Sequence, residues 1–387
     1  MLKRVEKQNL KDLKDACVLA KDAKFPSPFD SKLEFSCSAR GPWNIVHTGM
    51  LIPQAHEVYV CAQSCLRGVV LTAAEMNAID RFSNIIVREN NILEGDTEDL
   101  IVEGMGDILE KLPYTPRAIL VYTSCIHHFI GCDLNLVYKR LREKYPNVEF
   151  TDCYMNPIMR KSGLTPDQLM RRQLYSLLDK QDLDLKSVNI IGNNLKTDDD
   201  SELVKIIKEN GFTLREVPRT KTYDEYKEMG KGFLNITYNP AAIEAGRYLE
   251  KKLGQKHLYL PLSYGFDEIE KTLDTLCENL GIEKIDFSSN KQQALDALKK
   301  AKEVIGDTPI EIDYTLTLRP ASLARLLLEN GFNVVAIYED CFAGEEEEDF
   351  KWIQENYPNL KIYATVHVKM RFVNRKEDAS YIVNGKL

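Results

Sequence analysis

Three cysteines in the first third of the chain have the surroundings of metal-cluster ligands: Cys37, Cys61 and Cys125. Cys61 ends the short apolar run that starts at His56, and Cys125 ends a longer apolar run that starts at Ala118. Such runs are typical of buried strands, and the carboxyl ends of parallel strands face the crevice in which α/β proteins bind ligands. A following helix favours the thiolate through its dipole, and the thiolate is the form that ligates iron. The pattern therefore predicts thiolates that hold iron and sulfur.

The same residues have a second interpretation as packing residues, because a free cysteine is often a small buried hydrophobe. The chain has nine cysteines in 387 residues, and Cys17, Cys277 and Cys341 have neither histidine nor a second cysteine close in sequence. The remaining cysteines near the predicted strands do cluster, with Cys65 after Cys61, Cys132 after Cys125, and Cys153 after the next predicted strand. Clustering favours a site over packing.

Two other metal chemistries depend on the same cluster of residues. A zinc site built from Cys125, His128, Cys132 and Cys153 has suitable ligand types, although the chain contains no Cys-x-x-Cys pair. Cys61 and Cys65 form a Cys-x-x-x-Cys, but Gly68 stands where the third cysteine of a radical-SAM motif would be.

No Gly-x-x-x-x-Gly-Lys-Ser/Thr loop is present, so the chain does not bind nucleotide through a P-loop.

Composition limits the class of protein and its surroundings. Hydrophobic residues make up 44% and charged residues 28% of the chain, which is ordinary for a globular protein of two or three domains. No apolar run approaches the ~18 residues of a membrane helix, and the first residues lack the apolar core of a signal peptide. We therefore expect a cytoplasmic protein with reduced thiols. The net charge of −8 argues against nucleic acid as a partner.

Apolar runs alternate with amphipathic stretches along most of the chain. The predicted strands are 118–123, 148–151, 188–192, 213–217, 233–237, 257–260, 309–314, 333–338 and 361–366. Repeated strand–helix units imply parallel sheets covered on both faces. The predicted fold class is α/β with repeated Rossmann-like domains, divided into residues 1–186 with the cysteines, 187–286 and 287–387.

The cysteine framework resembles the three cluster ligands of the nitrogenase component 1 family. The likeness extends to Gly41-Pro42 after the first cysteine, to the run before Cys61, and to Tyr122-Thr-Ser-Cys together with Ile130-Gly-Cys-Asp-Leu around the third. Later, 188–192 and 233–237 resemble strands of the family's second domain. The family includes nitrogenase, dark-operative protochlorophyllide and chlorin reductases, the reductive cyclase for a nickel tetrapyrrole, and scaffolds for cofactor assembly.

This resemblance implies three Rossmann-like domains around a cleft and a homodimer, or a heterodimer with a paralogous subunit. Cys37, Cys61 and Cys125 would ligate a 4Fe-4S or larger cluster that bridges the two protomers. The chain would be the catalytic component of an ATP-dependent reductase, which takes single electrons from a separate P-loop iron–sulfur ATPase. Its substrate would be a small molecule or a tetrapyrrole. The alternative is a non-catalytic scaffold for metal-cofactor assembly.

The sequence also departs from the family pattern. The stretch 233–242 contains no cysteine or histidine where nitrogenase binds its molybdenum–iron cofactor, so we expect no molybdenum cofactor. The third domain is expected to be shortened, because the chain ends soon after Arg371. The substrate is expected near Cys153, Tyr154 and Asn156.

Two pairs of adjacent basic side chains lie outside the predicted ligand set. His127 and His128 follow Cys125, where a histidine can tune a cluster or carry a proton, although packing or capping explains one of the pair equally. Arg171 and Arg172 lie on a predicted amphipathic helix and are expected to face solvent.

Overall fold

The computed structural model describes residues 15–30, 45–156, 163–367 and 369–370, together with the backbone of 381–383. The strands are β1 Cys17–Leu19, β2 Ala55–Cys61, β3 Phe82–Ile86, β4 Ala118–Ser124, β5 Glu149–Met155, β6 Asp184–Ile190, β7 Thr213–Glu216, β8 Gly232–Thr237, β9 Lys256–Tyr259, β10 Ile310–Asp313, β11 Val334–Tyr338, β12 Lys361–Tyr363 and β13 Tyr381–Val383. Within this part of the chain, none of the helices has the length and apolar character needed to cross a membrane.

The helices cover the same described ranges. They are α1 Ile45–Gly49, α2 Leu66–Glu75, α3 Glu89–Glu94, α4 Thr97–Lys111, α5 Cys125–Phe129, α6 Leu134–Lys144, α7 Pro166–Gln173, α8 Glu202–Glu209, α9 Tyr223–Lys227, α10 Ile243–Leu253, α11 Phe266–Leu280, α12 Ser288–Ile305, α13 Pro320–Glu329 and α14 Glu347–Asn356. The chain separates into two compact units, one of Gly41–Leu260 and one of Met1–Arg40 with Pro261–Leu387.

The unit Gly41–Leu260 contains two four-stranded parallel sheets. The first has the order β3-β2-β4-β5, and every residue of β2 and β4 is buried, as expected for central strands covered on both faces. The second has the order β7-β6-β8-β9. In each sheet the chain starts in an inner strand, adds a strand on one side and then continues on the other. The carboxyl ends of β2 and β4, and those of β6 and β8, therefore flank a topological switch point, where open α/β sheets bind ligands.

Helix α7 packs against β5 of the first sheet and against α10, which packs on β8 and β9 of the second sheet. Thr165 caps its amino terminus and Pro166 occupies its first turn, which fixes where the helix begins. Its Met170 packs in the same buried cluster as Tyr59 of β2 and Leu249 of α10. Residues of the first sheet, of α7 and of α10 thus belong to one apolar cluster.

The other unit is a five-stranded sheet in the order β1-β12-β11-β10-β13. Strands β10 to β13 are parallel to their neighbours, while β1 from the amino-terminal part pairs antiparallel with β12. Apolar residues of α13 and α14 pack with the sheet in a second buried cluster, to which Ala20 and Phe29 also contribute. Here too the amphipathic helices bury one stripe against a parallel sheet.

The predicted fold class is confirmed, since strands form at or within a few residues of all nine predicted runs and build parallel Rossmann-like sheets. The predicted run 118–123 corresponds to β4 with one further residue. The domain division near residues 186 and 286 remains a prediction.

Candidate cluster site

Cys61 and Cys125 lie at the carboxyl ends of adjacent strands. Cys61 is the last residue of β2, and Cys125 directly follows the last residue of β4. The two strands pair in parallel with Tyr59 opposite Tyr122 and Val60 opposite Thr123, so both chains end level with each other. The two thiols therefore flank the switch point of the first sheet. Cys37 lies outside the described residues.

The thiol of Cys61 is fully buried, whereas Cys125 is half-buried. Burial, with a smaller contribution from nearby Cys65, raises the pKa of Cys61 to about 12 in the metal-free chain. The expectation that a helix dipole favours the thiolate here is wrong for this residue, because α2 begins only at Leu66 and desolvation dominates. A metal bound at Cys61 must therefore displace the thiol proton.

Two polar atoms next to Cys125 are buried without hydrogen-bond partners within the described part of the chain: Ser124 Oγ and His127 Nε2. The other ring nitrogen of His127, Nδ1, lies 3.2 Å from the carbonyl oxygen of Ser124 and can donate to it. This leaves the lone pair of the neutral ring on Nε2. Desolvation lowers the pKa of His127, so the neutral ring is favoured. His128, by contrast, is exposed.

The proposed substrate residues lie on or just after β5, at the side of the sheet away from the switch point. Cys153 is fully buried in the apolar core beside Tyr122, with its side chain enclosed. Tyr154 is partly buried and its hydroxyl donates to the carboxylate of Asp152. Asn156 follows the end of the strand and is buried. Of these three residues, Asn156 lies at the carboxyl edge of the sheet, where its side chain could contact a ligand bound in the crevice.

The donor set at the switch point suits a cluster of iron and sulfur. It consists of sulfur atoms rather than carboxylates, and soft thiolates select such metals. Ser124 Oγ beside them is buried without a hydrogen-bond partner among the described residues, so its hydrogen-bonding capacity is available to a bound group. Among the described residues, no group of three or more Cys, His, Asp or Glu side chains could hold a metal ion.

The four residues of the zinc alternative are not brought together. Cys153 packs in the core on one face of the first sheet, whereas Cys132 packs on the opposite face with Ile126. His128 is exposed. In the portion of the chain that the structure describes, none of these four residues belongs to a group of three or more side chains that could hold a metal ion. The zinc interpretation is therefore wrong.

A buried carboxyl below Cys61 was not anticipated from the sequence. Glu57 lies on the same face of β2 as Tyr59 and Cys61, and only 1% of it is exposed. Tyr59 donates to its Oε2 at 3.1 Å, and the Tyr122 oxygen lies 3.4 Å from its Oε1. Burial raises the pKa of Glu57 well above its usual value, which favours the protonated carboxyl within the same strand as Cys61. The only sequence signal was an acidic residue within the apolar run of β2.

The rings around this carboxyl are closely stacked. The Tyr59 and Tyr122 rings lie 4.2 Å apart with an angle of 3° between their planes, and Phe82 stacks on the other side of Tyr59 at 4.9 Å. The Tyr122 hydroxyl also lies 3.0 Å from the carbonyl oxygen of Ile45 and can donate to it. The floor of the site is therefore aromatic and closed to water.

Arg171 is buried, so the expectation that it faces solvent is wrong. Only 4% of its side chain is exposed, and it pairs with the equally buried Asp167 at 3.0 Å. Its Nη1 donates to the carbonyl of Gly192 and, at 3.1 Å, to Oδ1 of Asn194, both just beyond β6. The residue ties α7 to the carboxyl edge of the second sheet.

The comparisons with known proteins agree with this architecture. No curated protein matches the chain. Two solved structures are similar, "Nitrogenase Cp1 at pH 6.5" with a TM-score of 0.68 over 91% of this chain and 83% of that one, and "Nitrogenase Cp1 at pH 5" with a TM-score of 0.60 over 97% and 87%. Both are 14% identical in sequence, so the likeness is one of fold.

A family model described as nitrogenase component 1 type oxidoreductase matches residues 46–380. That span includes Cys61 and Cys125 and begins after Cys37. It covers most of the chain and confirms the resemblance on which the sequence prediction rests. The chain belongs to the nitrogenase component 1 type oxidoreductases.

Proposed function

We propose that this chain is the catalytic component of an ATP-dependent, nitrogenase-like reductase of the cytoplasm. Cys37, Cys61 and Cys125 would hold one iron–sulfur cluster, and that cluster would supply the one-electron chemistry between a separate iron–sulfur ATPase and a small-molecule or tetrapyrrole substrate. The observation that carries the proposal is the position of Cys61 and Cys125 at the switch point of a parallel sheet, in a chain of this oxidoreductase family.

The bound cluster supplies one-electron redox chemistry, and the chain supplies its surroundings. Cys61 and Cys125 would hold the cluster from the ends of two neighbouring, paired strands. The stacked rings of Tyr59 and Tyr122 close the protein side of the site, which excludes water from that face. Glu57 keeps a proton on the same face as Cys61. ATP hydrolysis belongs to the partner, since this sequence has no P-loop.

The functional unit in this proposal is a dimer, with a second copy or with a paralogous subunit. Three cysteines leave a cubane one ligand short, and closed two-fold pairing is the commonest oligomer symmetry. Light scattering on anaerobically purified protein should therefore give twice the mass of one chain, or the mass of a pair of paralogues. A cluster-loaded monomer would contradict the bridging arrangement.

The substrate is proposed to bind directly in the crevice near Tyr154 and Asn156, without a molybdenum cofactor. The stretch 233–242 lacks a soft ligand, and the nearby imidazole of His257 has its Nε2 2.8 Å from Oγ1 of Thr237. This hydrogen bond joins His257 of β9 to Thr237 of β8, so Nε2 of the histidine already has a partner. The larger metal cofactor of nitrogenase would find neither thiolate nor imidazole on this stretch.

Electron delivery tests the function without knowledge of the substrate. The purified protein is mixed with its reduced, cognate iron–sulfur ATPase and MgATP, and the EPR spectrum is recorded after rapid freezing. We expect a reduced-cluster signal that needs ATP hydrolysis, is absent with a non-hydrolysable ATP analogue, and is absent in Cys125→Ser. A cluster that is reduced equally fast without ATP would contradict the proposal.

A further inference from the structure

Ser124 places a buried hydroxyl without a partner at the end of β4. Only 4% of the residue is exposed, and its Oγ makes no hydrogen bond to any residue that the structure describes. Ser124 is the N-cap of α5, where a serine oxygen usually accepts an N–H of the first turn, yet it forms no such cap. Leaving a buried hydroxyl unpaired is unfavourable, because the desolvation of the group is not compensated. A group bound at the site would remove that cost.

The strand register places this hydroxyl beside both thiols. Tyr59 pairs with Tyr122 and Val60 with Thr123, and the next positions are Cys61 and Ser124. Residues two apart on a strand share a face, so Cys61 and Ser124 lie on the face marked by the stacked tyrosines. Cys125 is the next residue after Ser124. The hydroxyl thus has one thiol across the sheet and the other adjacent in sequence.

We propose that the Ser124 hydroxyl donates a hydrogen bond to a sulfur of the iron–sulfur cluster held at Cys61 and Cys125. The inference rests on the proposed function and adds a positioning residue to it. Hydrogen bonds to cluster sulfur stabilise the reduced, more negative state and raise the reduction potential. Ser124 therefore sets how readily the cluster accepts an electron from the ATPase.

The test compares midpoint potentials and iron contents of full-length, anaerobically purified variants by EPR-monitored redox titration. Ser124→Ala should keep full iron while its potential moves to a more negative value. Ser124→Thr, which keeps the hydroxyl, should stay near the wild-type value, whereas the isosteric Ser124→Val should follow the alanine variant. The difference in midpoint potential between Ser124→Thr and Ser124→Val tests the hydrogen bond even if the alanine variant folds poorly.

Thr123→Val is the matched control on the same strand. Its hydroxyl lies on the other face and donates to the carbonyl of Cys153 at 3.5 Å, so the potential should not move. An unchanged potential in Ser124→Ala and Ser124→Val with full iron would overturn the inference and leave the proposed function standing. Loss of iron from folded Ser124→Ala would also overturn it, because the oxygen would then be an iron ligand. A wild-type protein without iron would remove the proposed function itself.

Discussion

His56, at the start of β2, should make the stability of the fold depend on pH below 6.5. The residue is fully buried, with Nδ1 2.8 Å from the hydroxyl of Tyr114 and Nε2 2.8 Å from that of Ser83. Tyr114 donates its own proton to the carbonyl of Asp80 at 3.0 Å, so it can only accept from His56. Nδ1 therefore carries the proton and Nε2 accepts from Ser83. The neutral ring satisfies every one of these bonds.

Protonation of this ring is costly in the folded chain. Desolvation, followed by the charge of Arg81, lowers the pKa of His56 from 6.5 to about 4. The folded state therefore binds fewer protons than the unfolded state between these values, and its stability falls as the pH falls. The full pKa shift of His56 corresponds to about 3 kcal/mol in the free energy of unfolding. About 2 kcal/mol of this stability is lost between pH 7.5 and pH 5.

Urea unfolding followed by circular dichroism at pH 7.5, 6 and 5 measures this contribution. The free energy of unfolding of the wild type should fall by about 2 kcal/mol more than that of His56→Gln over this range, because all other titrating groups are common to both. His128→Gln, at an exposed position, should retain the wild-type slope. Parallel curves for the wild type and His56→Gln would refute the assignment of a buried neutral histidine.

Three further outcomes follow from the site and its surroundings. Arg171→Met should lower the free energy of unfolding by about 3–5 kcal/mol by leaving the Asp167 carboxylate buried and unpaired, and Arg171→Met with Asp167→Asn should recover part of it in the same urea experiment. Elemental analysis should find neither molybdenum nor vanadium in the native protein, and stoichiometric molybdenum would contradict the direct binding of substrate. Once a substrate is known, Asn156→Ala should lower kcat by about tenfold, the loss of about 1.4 kcal/mol of transition-state stabilisation, and Tyr154→Ala should do the same. Unchanged turnover in both variants would remove this placement of the substrate.

The fold was predictable because its signals are local. The run at 118–123 is apolar on both faces, which marks a central parallel strand, and strand–helix alternation alone implies the sheets. That Cys61 and Cys125 belong to one site came from the family resemblance, because local patterns do not show that β2 pairs with β4.

The parts that could not be predicted depend on partners far along the chain. Glu57 is buried because Tyr122, 65 residues later, closes over it together with Tyr59. Arg171 is buried because its hydrogen-bond acceptors, Gly192 and Asn194, lie just after β6 of the second sheet. A helical periodicity identifies the polar face of α7 but cannot show that a second sheet covers it.

Iron and acid-labile sulfide analysis of the anaerobically purified protein tests the central claim most directly. The account predicts stoichiometric iron and sulfide in the wild type, and loss of both, with bleaching of the visible absorbance, in Cys37→Ser, Cys61→Ser and Cys125→Ser. Cys277→Ser and Cys341→Ser, whose thiols lie outside the predicted ligand set, should retain them. A wild type without iron, or three ligand variants with full iron content, would contradict the account.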